Sequence, residues 1–98
     1  WAVSEQVARA MAEGVRRAAE SSVGVGVTGI AGPDGGTPEK PVGLVWIAVS
    51  DGEHTWVRRM NAPARFQTRE KIRYRAASTA LDLVRRCLCG LPMEEEPV

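Results

Sequence analysis

The segment Val23-Gly24-Val25-Gly26-Val27-Thr28 alternates valine with glycine, and that alternation is the tightest constraint in the chain. Successive strand residues point to opposite faces, so the valines share one face and the glycines leave the other bare. A bare strand face lets a helix or a ligand approach the backbone closely. The predicted fold is therefore one in which something packs directly on this strand. With 98 residues there is room for one modest core, which excludes a two-domain enzyme or an eight-unit βα barrel.

The elements around this strand follow from periodicity and stop signals. Ser4 is the expected N-cap of a first helix, with Val7, Met11, Val15 and Ala18 as its apolar face. Glu5–Arg9 and Glu13–Arg17 have the favourable i,i+4 order on the solvent side, and Ser21 and Ser22 end the helix. After the glycine strand, Thr28 to Gly43 is rich in glycine and proline. Leu44 to Val49 is almost continuously apolar, as expected of a central strand buried on both faces. Asp51-Gly52 signals a hairpin, and His54 to Met60 returns as a more polar antiparallel strand. The last helix is expected from about Gln67 to Cys89, with Ile72, Ala76, Ala80, Leu83, Val84 and Cys87 as its stripe. Gly90 and Pro92 then stop it. The order is α-β-β-β-α, over residues 1–90, followed by a flexible acidic tail over 91–98.

Composition narrows the function. Hydrophobic residues make up 44% and charged residues 26%, a globular balance. No apolar run reaches the roughly 18–20 residues needed to span a bilayer. Basic and acidic residues number 13 and 12. Leaving aside Glu94, Glu95 and Glu96, the rest carries a mild basic excess, which suits an anionic small molecule better than DNA. Cys87 and Cys89 point in different directions on a helix and form no ligand set with the single histidine. A reducing compartment, small apolar roles for both cysteines and no structural metal are expected.

Two features could carry chemistry. The Gly/Pro loop can turn several N–H groups towards an anion, or it can be a structural turn cluster. It is neither a phosphate-binding Walker loop nor a dinucleotide fingerprint, because no Gly-Lys-Ser/Thr occurs and a strand follows it. The second feature is Arg69 with Arg73. On a projection from Ile72 the apolar stripe covers about 0–120°, with Arg69 at about 60° and Arg73 at about 100°. Two guanidinium groups on the inward face near a helix N-terminus suggest a phosphate or carboxylate site. His54, Arg58 and Arg59 are expected on the surface, and Trp46 and Trp56 in the core or an interface.

Ala2-Val3-Ser4-Glu5, the long run from Val27 through Gly29-Ile30-Ala31-Gly32-Pro33-Asp34-Gly35-Gly36 and Lys40 to Val45, and Arg69-Glu70-x-Ile72-Arg73 together resemble the CinA C-terminal domain family. The resemblance implies a three-layer α/β/α sandwich with a mixed sheet. It also implies nicotinamide-nucleotide amidohydrolase activity, in which nicotinamide mononucleotide is hydrolysed to nicotinic acid mononucleotide and ammonia. A serine nucleophile, a lysine base and an assisting tyrosine would do this without metal or cofactor. The family's Glu-Ser-Cys-Thr-Gly-Gly and Tyr-Ser-Asn-x-x-Lys segments do not occur in this sequence, and neither Ser4 nor Lys40 is their equivalent. The chain, opening on Trp1, thus resembles an N-terminally truncated part of the domain, inactive alone. Its expected substrate-binding residues are Thr28, Gly29, Gly32, Pro33, Gly35, Gly36 and Lys40 from the loop, with Arg69 and Arg73 from the helix. The alternative is a non-catalytic nucleotide-binding or self-assembling module. A cytoplasmic location is expected, with a homo-oligomer or a complementing N-terminal half as partner and no nucleic acid or membrane.

Overall fold

The Val7 amide donates to Ser4 Oγ at 3.2 Å, so the first helix starts at the cap its sequence predicts. A computed structural model describes residues 4–29, 43–61 and 68–93. It contains α1 (Glu5–Ala19), β1 (Gly24–Gly29), β2 (Leu44–Ser50), β3 (Thr55–Asn61) and α2 (Arg69–Cys89). Glu20 closes α1 in the left-handed region with φ 53°, one residue before the predicted serines. Thr68 caps α2, and Gly90 ends it at φ 69°.

The sheet has the order β1-β2-β3, and both pairings are antiparallel. The mixed pairing implied by the resemblance is therefore not found among these three strands. One helix covers each face, which gives the expected sandwich. Towards α2, Val45, Ile47, Val49 and Met60 pack with Ile72, Ala76 and Leu83. Each Val, Ile, Leu or Met side chain among these contributes about 1.5–3 kcal/mol on full burial. Towards α1, Ala8, Ala12 and Ala48 form a second, thinner core, with Trp46 and Val57 against it.

The glycines explain that thin core. A Cβ on Gly26 would lie 2.8 Å from both Ala12 N and Met11 Cβ, and one on Gly24 2.9 Å from Arg16 N. Helix and strand backbones are in contact, so only alanine fits between them. This corrects the predicted face of α1. Ala8 and Ala12 are buried, whereas Met11 and Val15 remain about half exposed and Ala18 is exposed. Glu13 also departs from its expected role, since it accepts a hydrogen bond from Thr55 at 2.7 Å. Cys89 is exposed and Cys87 half-buried, so the small apolar role fits only the latter.

The β2–β3 hairpin turns on Asp51. Its Oδ1 accepts from the amides of Glu53 and His54 at 2.9 and 2.8 Å, while Gly52 takes φ 96°. These two bonds, the His54 one foremost, hold the Asp51 carboxyl below the usual carboxylate range. A lowered folded-state pKa makes the stabilisation complete above the ordinary value and removes it as pH falls through the depressed one. Asp82, which accepts from Arg85 and Arg86 at 2.9 Å each, is lowered in the same direction. Urea melts between pH 7 and pH 3 should therefore show a shallower acid loss for Asp51→Asn than for the wild type. Parallel curves would mean the turn carboxylate is not linked to folding.

Candidate functional site

Where β1 and β2 meet the first turns of α2, the surface opens into a cleft of about 240 Å³. Val27 and Gly29 come from β1, Val45 from β2, and Arg69, Ile72, Arg73 and Ala76 from α2. Alternation fixes the strand contribution. Gly24 and Gly26 face α1, so Val25, Val27 and Gly29 face α2. Gly29 pairs with Val45 and presses against it, since a Cβ there would lie 2.8 Å from Val45 Cγ2 and 2.9 Å from Leu44 O.

The helix contribution follows from its cap. The Lys71 amide donates to Thr68 Oγ1 at 3.3 Å and the Ile72 amide to Thr68 O at 3.0 Å, which fixes the first turn. Arg69 and Arg73 then stand one turn apart on the same flank of buried Ile72. The arrangement is an apolar floor with a rim of two cations near a positive helix end. It is suited to an anionic group attached to a flat or apolar body. A whole drug-sized ligand generally fills about 300–1,000 Å³, so this cleft holds only part of one.

The structure brings three predicted residues together: Gly29, Arg69 and Arg73. The arginines lie at the exposed margin of the helix face and not beneath it. Thr28 sits beside Gly29 but opposite Trp46, and its strand position directs it to the α1 face, away from the cleft. Gly32, Pro33, Gly35, Gly36 and Lys40 lie outside the described residues. The floor residues Val27, Val45, Ile72 and Ala76 were not predicted as site residues. The shared odd-numbered strand face and the α2 stripe together were the signal for them.

Other reactive groups lie elsewhere. Burial pushes the Cys87 thiol up, with the charge of Asp51 adding to the effect, so it stays protonated at neutral pH and is a poor nucleophile. His54 is exposed and stacks on half-buried Trp56 at 5.6 Å. Arg59 lies over Trp46 at 5.8 Å, and Arg58 donates to Met93 O at 3.4 Å. Among the described residues, no three His, Cys, Asp or Glu side chains gather as metal ligands, and no helix is long and apolar enough to cross a membrane.

Comparison with known proteins agrees with this architecture. The CinA C-terminal domain model matches residues 1–88. The chain is 60% identical over 86 residues to a CinA-like protein of Gemmatimonas aurantiaca, covering 87% of this chain and 19% of that protein. It is 52% identical over 93 residues to one of Desulfovibrio desulfuricans, covering 95% and 22%. Among solved structures, the competence/damage inducible protein CihA of Agrobacterium tumefaciens matches with a TM-score of 0.79 and 39% identity, over 85% of this chain and 50% of that one. A CinA superfamily protein of Escherichia coli matches with a TM-score of 0.74 and 33% identity, over 83% and 45%. The chain thus spans about a fifth of the length of those curated relatives and about half of those solved structures. It belongs to the CinA C-terminal domain family.

Proposed function

We propose that this chain supplies the phosphate-holding wall of a nicotinamide-nucleotide amidohydrolase site in the cytoplasm. The supporting observation is the convergence of Gly29, Arg69 and Arg73 on one cleft with an apolar floor. In the proposed reaction water replaces the amine of the substrate carboxamide, giving a carboxylate and ammonia. The guanidinium groups of Arg69 and Arg73 hold the 5′-phosphate, and the positive end of α2 adds to their pull. Anchoring the phosphate fixes where the carboxamide lies, which is an orienting contribution and not a chemical one. The nucleophile, base and assisting tyrosine come from segments beyond these 98 residues.

A phosphate-holding wall should distinguish nicotinamide mononucleotide from nicotinamide riboside, which lacks only the phosphate. Titration should show the mononucleotide bound roughly a hundredfold more tightly, a difference of about 2.8 kcal/mol. The 98-residue chain alone should release no ammonia from either. Equal affinities would remove the phosphate from the scheme, and turnover by the chain alone would show that a catalytic group is present within it.

A further inference from the structure

At the other end of the sheet from the Arg69–Arg73 cleft, and on its opposite face, a second crevice of about 270 Å³ opens between α1 and the β2–β3 turn. Ser50 stands at its base. It pairs with Gly24, whose bare face lies against Ala12 and Arg16, and with Thr55 across the hairpin, so both hydroxyls point to the α1 side. Ser50 is only 2% exposed. Its Oγ accepts from the Gly52 amide at 3.3 Å, and its own proton has no acceptor among the described residues. A buried hydroxyl is a donor as well as an acceptor, so this one calls for an acceptor arriving in the crevice.

Charge lines both walls. On α1, Glu13 and Arg17 have the spacing of a helix ion pair. Glu13 is instead drawn to Thr55 at 2.7 Å, and the Arg17 side chain has no partner among the described residues. Arg16 lays its guanidinium against the turn, where the absence of a side chain at Gly52 makes room; a Cβ there would lie 3.0 Å from Arg16 Cζ. It donates one N–H to the Ser21 carbonyl at 3.5 Å, longer than a good hydrogen bond, so most of its fork is available. On the turn side the Glu53 carboxylate lines the crevice, while the Glu53 amide is bonded to Asp51.

Charge and size together define the ligand. Two guanidinium groups and the Ser50 hydroxyl donate, which suits a carboxylate. Glu13 and Glu53 repel a multiply charged anion such as phosphate and suit an ammonium group. None of the described lining side chains is apolar, and the volume lies below the roughly 300–1,000 Å³ of sites for drug-sized ligands. We propose that this crevice binds a free α-amino acid with a small side chain, its carboxylate on Arg16, Arg17 and Ser50 and its ammonium on Glu13 and Glu53. Binding here needs neither the nucleotide nor the catalytic segments, so it stands or falls separately from amide hydrolysis.

The test is titration of glycine into the isotope-labelled chain, followed by its backbone amide resonances. Saturable shifts are expected at Ser50, Gly52 and Glu53, with half-saturation at roughly 1–10 mM because the rim charges are solvated. Acetate and methylamine, the two halves of glycine, should each bind at least about tenfold more weakly. Arg17→Gln and Glu53→Gln change exposed positions, so their circular dichroism should match the wild type. Each should weaken glycine about fivefold, and Glu53→Gln should leave acetate unaffected, a split that a merely structural role would not produce. No saturation by about 100 mM glycine, acetate binding as tightly as glycine, unchanged glycine affinity in both variants, or shifts centred on Gly29 and Arg73 would each overturn the assignment.

Discussion

Gly26→Val should leave the chain largely unfolded at room temperature. A Cβ at this position meets Ala12 N and Met11 Cβ at 2.8 Å, and the Ala8 carbonyl more closely still. These are mostly backbone atoms, which cannot rotate out of the way as the end of a flexible side chain could. Overpacking ordinarily costs about 1–3 kcal/mol, and here α1 would have to lift off the sheet, giving up the Ala8–Ala12–Ala48 core as well. A small domain has about 5–15 kcal/mol in total, and a chain of this length lies towards the lower end. Gly14 is the internal control. It lies within α1 with no neighbour within 4 Å of an added Cβ, so Gly14→Ala should stabilise by about 0.5–1 kcal/mol through helix propensity alone. Urea melts of both variants check the pair. If Gly26→Val melts like the wild type, the helix and strand are not in backbone contact.

The same contact shows how far the fold could be read from sequence. Local signals were sufficient where local chemistry decides: the Ser4 cap, the Asp51-Gly52 turn, the Gly90 stop and the continuously apolar β2 all stand where the residues put them. The α2 stripe was also legible, because large side chains do the packing there. The buried face of α1 was not. Its periodicity singles out the largest apolar residues, Val7, Met11 and Val15, whereas the glycines opposite admit only the smallest, Ala8 and Ala12. The bare face of β1 stated that demand, but helix periodicity alone ranks residues by hydrophobicity and not by fit. Met11 and Val15 are left about half exposed as a result.

The candidate site was legible in the same partial way. The projection that placed Arg69 and Arg73 together needed only helical geometry, and the cleft contains both. Thr28 and Gly29 are neighbours in the motif that carries the family resemblance. Strand alternation separates them, since adjacent residues face opposite helices.

Replacing both arginines should have the largest functional effect. Charge-assisted hydrogen bonds contribute about 1.5–3 kcal/mol each when shielded from water. Arg69 and Arg73 are both exposed, so solvent screening brings each to the low end or below it, roughly 1.4 kcal/mol or tenfold in affinity. Neither side chain supports the core, so Arg69→Ala with Arg73→Ala should leave the urea midpoint nearly unchanged. The most direct measurement is a calorimetric titration of nicotinamide mononucleotide into the wild type and into this double variant, at one fixed salt concentration. A shared anion site predicts that affinity falls by about a hundredfold. Equal affinity in a folded double variant would contradict it and take the phosphate away from α2.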